Sequence, residues 1–134
     1  MATPQSLLSF SLLIVEDDQT ARDIIASMVS LEFPDCTIFT ANDGREGLES
    51  FKTYTPDIVL TDVNLPGMDG VDLARHIRTI KGNATYIVLT AYNDSAVFES
   101  FQDIGVCAYL LKPIDLNELF TAIEKCRIEC RRQD

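Results

Sequence analysis

Six polar side chains stand just beyond apolar stretches of this chain: Glu16, Asp17 and Asp18 after SLLIV, Asp62 after DIVLT, Thr90 after TYIVL, and Lys112 shortly after CAYL. Crowded carboxylates repel one another, and each tends to hold a proton unless a cation intervenes. A hard divalent ion such as Mg²⁺ suits one or two carboxylates, several waters and a phosphate oxygen. A lysine and a hydroxyl would supply donors for the remaining phosphoryl oxygens. Phosphoryl transfer needs mainly positioning and charge neutralisation, and this set of side chains provides both.

Those residues must be brought together by the elements that carry them. Ser11–Val15, Cys36–Thr40, Asp57–Thr61, Thr85–Leu89 and Cys107–Leu110 read as five strands, most of them continuously apolar, as expected of strands covered on both faces. Helical periodicity runs from about Gln19 to Glu32, with Ile24, Ile25, Met28 and Leu31 on one stripe and Asp18 as its cap. Further helices are expected over Gly44–Thr53, Val71–Ile80 and Ser95–Ile104, the last ended by Gly105. A fifth begins after Asp115 and buries Leu116, Leu119, Phe120 and Ile123. Strict alternation of strand and helix predicts an α/β fold, a parallel sheet with helices on both faces. Ligands of such sheets bind beyond the carboxyl ends of the strands, where the six residues lie.

Composition narrows the function classes. The 134 residues fit one domain, and 46% hydrophobic with 24% charged residues is ordinary globular usage. No apolar run is long enough to span a bilayer, and no basic residue precedes the apolar patch in Met1–Phe10, so a cytoplasmic protein without a secretory signal is expected. Twenty-one acidic against eleven basic residues, net −10, disfavour direct binding to nucleic acid or anionic membranes. Cys36, Cys107, Cys126 and Cys130 do not read as a disulfide framework or a zinc site, and are expected to be small reduced residues.

Four segments then carry a resemblance: LLIVEDD (Leu12–Asp18), DIVLTDVNLPGMDG (Asp57–Gly70), VLTAY (Val88–Tyr92) and YLLKPI (Tyr109–Ile114). Together and in this order they resemble the receiver domains of two-component response regulators, over about Leu12–Ile128. The resemblance implies a flavodoxin-like, five-stranded parallel sheet of order 2-1-3-4-5 flanked by five helices. It implies that Asp62 is the phosphoacceptor, that Glu16, Asp17, Asp62 and the backbone carbonyl of Asn64 hold Mg²⁺, and that Lys112 binds phosphate. It makes Thr90 the switch hydroxyl and Tyr109 the switch aromatic, and puts a cis bond at Lys112–Pro113. Asn64 and Tyr92 take positions that tune phosphate lifetime, with Tyr92 shielding the acyl phosphate from water.

The implied function is a phosphorelay signalling domain, not an enzyme, that assists its own phosphotransfer and dephosphorylation. A sensor histidine kinase or histidine phosphotransfer protein would be the donor. Phosphorylation would switch the surface of the fourth helix, fifth strand and fifth helix, for an effector or a further domain. On this reading residues 1–10 are an N-terminal extension, 11–130 the receiver domain and 131–134 a tail that would open a linker.

Plainer readings compete residue by residue. The acids at Glu16–Asp18 also suit a helix N-terminus, although the helix dipole accounts for Asp18 better than for Glu16. Asp57 lies about 16 Å from Asp62 along the strand and on the opposite face, which suits a structural role. Thr90, Tyr109 and Lys112, each taken alone, read as a strand-end hydroxyl, a core ring and a surface lysine. His76 has no aligned partner and reads as non-catalytic. A flavin or phosphate-ester enzyme on this fold would want a glycine-rich phosphate loop, and neither GxGxxG nor a Walker pattern occurs. A haloacid-dehalogenase-like phosphatase would want an acid where Asn64 stands. A degenerate receiver that only binds partners would not need Glu16, Asp17, Asp62, Thr90 and Lys112 all intact.

Overall fold

The computed structural model describes residues 9–91 and 95–133, with side chains through residue 130. Tyr92 lies outside the described residues. Five strands, β1 (Phe10–Val15), β2 (Cys36–Ala41), β3 (Ile58–Asp62), β4 (Thr85–Ala91) and β5 (Ala108–Lys112), alternate with five helices. The helices are α1 (Gln19–Glu32), α2 (Gly44–Tyr54), α3 (Gly70–Ile80), α4 (Ser95–Ser100) and α5 (Leu116–Gln133). All strand pairs are parallel, and their order is β2-β1-β3-β4-β5.

Period-two alternation divides the apolar strand residues between two cores. Leu12, Ile14, Ile58, Leu60, Ile87, Leu89 and Leu110 meet Ile25 and Val29 of α1 and Leu119, Ile123 and Cys126 of α5. Leu13, Val15, Val59, Tyr86 and Val88 face the other way, onto Leu48 and Phe51 of α2 and Leu73, Ala74 and Ile77 of α3. Strands covered on both faces have no solvated side, which is why they read as unbroken apolar runs.

Aspartates start four of the helices, α1, α2, α3 and α5. Asp18, Asp43 and Asp69 each accept an N–H three residues on, from Ala21, Glu46 and Asp72 at 3.0, 2.8 and 2.9 Å. Asp115 does the same for Asn117 and Glu118 at the head of α5. Each satisfies a backbone donor that the first helical turn leaves open. Asp57 has the structural role expected of it: its carboxylate accepts the Ser11 N–H at 2.9 Å and the Ser11 hydroxyl at 3.2 Å, tying β3 to β1.

Three expectations need correction. In α1 the buried residues are Ile25 and Val29, while Ile24 is 51% and Leu31 76% exposed. Ile25 and Val29, four residues apart, face the sheet, with Met28 half-buried beside them. Helix α4 ends at Ser100 rather than Ile104, for the chain then tightens: Gln102 and Ile104 donate to carbonyls three residues back, at 3.2 and 3.0 Å. Phe101, whose N–H still donates to the Val97 carbonyl four residues back at 3.2 Å, is buried in the core, and Gly105 turns the chain at φ 82°. Finally, Cys107 and Cys126 are joined in a disulfide rather than standing as separate thiols. The residue before β5 and the inner face of α5 bring their Cα atoms to 6.0 Å, within the usual range for a bridge.

Candidate functional site

Alternation also builds the site. Ile14, Leu60 and Leu110 belong to the core under α1 and α5. Glu16, Asp62 and Lys112 each lie two residues further along, and so emerge on that same face at the carboxyl edge of the sheet. Glu16 continues the ladder past β1 by donating its N–H to the Ala41 carbonyl at 3.1 Å. Its own carbonyl accepts from the Arg22 guanidinium at 2.8 Å, which ties the acidic loop to α1.

The three side chains meet. Lys112 Nζ donates to a carboxylate oxygen of Asp62 in a very short contact, and to Glu16 Oε1 at 3.3 Å. Glu16 is 2% and Asp62 4% exposed, so both carboxylates sit where an unbalanced charge is costly. With exposed Asp17 they form a cluster in which one carboxylate oxygen of each lies within 4.8 Å of the others. Burial pushes the Glu16 carboxyl up from its ordinary range; the Asp18 backbone N–H and the Lys112 charge pull against it, while Asp17 and Asp62 add to the rise. For Lys112, burial opposes the ammonium, but its hydrogen bond to Asp62 and the charges of Asp62 and Glu16 outweigh that, and its pKa rises.

The donor set suits a hard cation. Three ionised carboxylates against one ammonium leave two negative charges to be balanced, the charge of one Mg²⁺. The loop after β3 is held close to the cluster, with the Asn64 N–H donating to Asp62 Oδ1 at 3.1 Å. Thr90 and Tyr109 stand apart from the trio. Val88 belongs to the core on the α2 and α3 side, so alternation sets Thr90 on that side, at the same edge and 2% exposed. Tyr109 pairs in register with Val88 and packs edge-on against Phe98, with ring centroids 4.7 Å apart, and against Phe101 at 6.4 Å. Lys112–Pro113 is a cis peptide. His76 is exposed on α3 and hydrogen-bonds the Asp72 carbonyl through Nδ1 at 2.7 Å, remote in role from the cluster.

Gly70 is a site residue that no pattern in the sequence marks. A Cβ there would lie 2.5 Å from the carbonyl oxygen of Asp62 and 3.0 Å from Val63 Cα, while its N–H donates to the Val63 carbonyl at 2.9 Å. The first turn of α3 therefore rests directly on the backbone that carries Asp62. Gly70→Ala is expected to cost about 1–3 kcal/mol in urea unfolding, as an overpacked position does, and to displace Asp62. Unchanged stability would show that this approach is looser than described.

A family model for the response regulator receiver domain matches residues 12–124. The chain belongs to that family. The receiver is 38% identical over 112 residues to the transcriptional regulatory protein PdtaR of Mycobacterium tuberculosis, covering 84% of this chain and 54% of that protein. It is 28% identical to sporulation initiation phosphotransferase F of Bacillus subtilis, over 89% of this chain and 94% of that one. Among solved structures, a receiver domain from Clostridium thermocellum superposes with a TM-score of 0.84 at 27% identity, covering 93% and 99% of the two chains. A CheY-like receiver from Methanospirillum hungatei gives 0.85 at 25% identity, covering 94% and 99%. The chain thus spans about half the length of PdtaR. Its fold is the flavodoxin-like receiver fold, and accepting a phosphoryl group is the general function of such signalling domains. No helix among the described residues is long and apolar enough to cross a membrane.

Proposed function

We propose that Asp62 accepts a phosphoryl group from a phosphohistidine, on a sensor histidine kinase or a histidine phosphotransfer protein. The observation that carries this is the meeting of buried Asp62, buried Glu16 and Lys112 at the carboxyl edge of the sheet. An Asp62 carboxylate oxygen attacks phosphorus, the bond from phosphorus to the histidine nitrogen breaks, and the freed imidazole takes up a proton. Lys112 leaves its contact with Asp62 to pair with phosphoryl oxygens, and the Thr90 hydroxyl donates to another. Glu16, Asp17, Asp62 and the Asn64 carbonyl would hold Mg²⁺, which when bound neutralises charge on the transferring group. The same residues assist hydrolysis of the acyl phosphate.

The new phosphoryl charge then biases the switch residues. Thr90 moves toward the phosphoryl group and Tyr109 turns further inward among Phe98 and Phe101, altering the surface of α4, β5 and α5. The receiver body includes Phe10, which opens β1 and pairs with Cys36, and α5 carries it on to Gln133. An effector or further domain reads that surface; relatives such as PdtaR, of which this chain covers about half, are named as transcriptional regulators. The net charge of −10 argues for protein partners rather than direct contact with nucleic acid or an anionic membrane, and the cytoplasm is the compartment this reading assigns. Incubation with acetyl phosphate, followed by intact mass, tests the reading. One phosphoryl adduct should form with Mg²⁺ and none with chelator; a folded, Mg²⁺-supplied chain that never gains one is a partner-binding domain instead.

A further inference from the structure

The disulfide lies at the opposite end of β5 from the acidic site. Cys107 immediately precedes β5, where its N–H donates to the Tyr86 carbonyl at 2.9 Å. Cys126 is fully buried on α5, in the core with Leu119 and Ile123. The bridge spans 19 positions and encloses all of β5, with Tyr109 and Lys112, and more than half of α5.

Its two cysteines differ in exposure. Cys107 is half-buried and lines an open cavity of about 280 Å³ with Thr85, Gly105, Lys125 and Glu129. Lys125 Nζ donates to the Cys107 carbonyl at 3.1 Å, which holds an ammonium next to this residue. A neighbouring cation favours the Cys107 thiolate, the leaving group of the second exchange below and the attacking group when closure begins, although Glu129 on the same cavity opposes it. The remaining cysteines are poorer candidates. Burial, with the charge of Asp57 adding and that of Arg127 opposing, pushes the Cys36 thiol up to about 12. Cys130 Sγ is engaged with the Asp57 carbonyl at 3.3 Å and Thr85 Oγ1 at 3.1 Å.

We propose that Cys107 and Cys126 form a reversible thiol–disulfide site, opened and closed by exchange with a glutathione-type thiol and its disulfide, that ties α5 to β5 when oxidised. Opening begins with attack by an external thiolate on Cys107 Sγ through the cavity. The sulfur–sulfur bond breaks, a mixed disulfide forms on Cys107, and Cys126 leaves as a thiolate that takes up a proton. A second external thiolate attacks the outer sulfur of the mixed disulfide and releases Cys107. Two electrons pass to the protein, and the two external thiols depart as one disulfide. Closure is the reverse. The site stands independently of the phosphoacceptor reading, since neither cysteine touches the acidic cluster's chemistry.

The test is to equilibrate the full chain in glutathione buffers of graded ratio, quench with acid, alkylate, and map the peptides. Two alkylatable cysteines should disappear together as the ratio becomes oxidising, return when it is reversed, and map to a Cys107–Cys126 peptide. Cys107→Ser should abolish the cross-link, and Cys36→Ser should keep it. Hydrogen exchange of α5 amides should be faster in the reduced chain. Four alkylatable cysteines at every ratio would overturn the proposal, as would a bridge that excess reduced glutathione leaves intact in the native protein. Equal α5 exchange in both forms would overturn the tether.

Discussion

Asp62→Asn is expected to abolish phosphorylation by acetyl phosphate while leaving the fold nearly unchanged. The amide has almost the shape of the carboxylate, but it has no anionic oxygen to attack phosphorus and cannot carry an acyl phosphate. With its amide oxygen accepting the Asn64 N–H, the amide NH2 faces Lys112 donor to donor, but Lys112 keeps Glu16 at 3.3 Å and the repulsion between Asp62 and Glu16 is relieved, so the two changes offset. Urea unfolding should therefore move by no more than about 1 kcal/mol. Mg²⁺ affinity should fall, because one of three clustered carboxylates is gone. Intact mass with and without the substitution reads the first effect, and denaturation the second. An adduct that persists in the variant would transfer the acceptor role to another acid, and loss of folding would leave Asp62 with a structural role instead.

Lys112→Met should separate two duties of one ammonium. Without metal, Lys112 is the cation shared by Glu16 and Asp62, and its removal leaves two buried carboxylates facing each other. Breaking a fully buried pair from one side costs about 3–5 kcal/mol. The lysine side chain is 33% exposed, which screens the interaction, and about 1–3 kcal/mol is the expected loss in metal-free urea unfolding. Saturating Mg²⁺ should recover most of it by supplying the missing positive charge. Removal of a competing cation should also tighten Mg²⁺ binding, by about tenfold for a charge a few ångströms away. Phosphorylation should nonetheless slow by about 100-fold or more, since one donor to the transferring oxygens is lost. Metal-free stability equal to the parent's would contradict the shared ion pair.

Much of this arrangement was legible because a covered parallel sheet leaves a strong imprint. Each strand is an apolar run, and the next polar residue on the same face marks the carboxyl edge. That pattern alone groups Glu16, Asp62 and Lys112. Motif order added the rest, including the cis bond before Pro113. What stayed hidden depends on contacts between distant segments. Cys107 and Cys126 are 19 positions apart, and only the packing of α5 against the sheet brings their Cα atoms to 6.0 Å. Gly70 looks like any turn glycine until the Asp62 carbonyl is seen against its α-carbon. In α1, helical spacing admits two neighbouring stripes, and the choice of Val29 over Ile24 and Leu31 is made by where the sheet lies. The early end of α4 lies in the bonds that Gln102 and Ile104 make three residues back, a local tightening that apolar spacing does not record.

The central claim is most directly tested by locating the phosphoryl group. The chain would be treated with acetyl phosphate and Mg²⁺, then with borohydride, which reduces an acyl phosphate to the alcohol and turns the modified aspartate into homoserine. Peptide sequencing by mass spectrometry should find homoserine at position 62 alone, and none when chelator replaces Mg²⁺. Homoserine at position 17, 18 or 57, or an adduct that yields none anywhere, would contradict Asp62 as the acceptor.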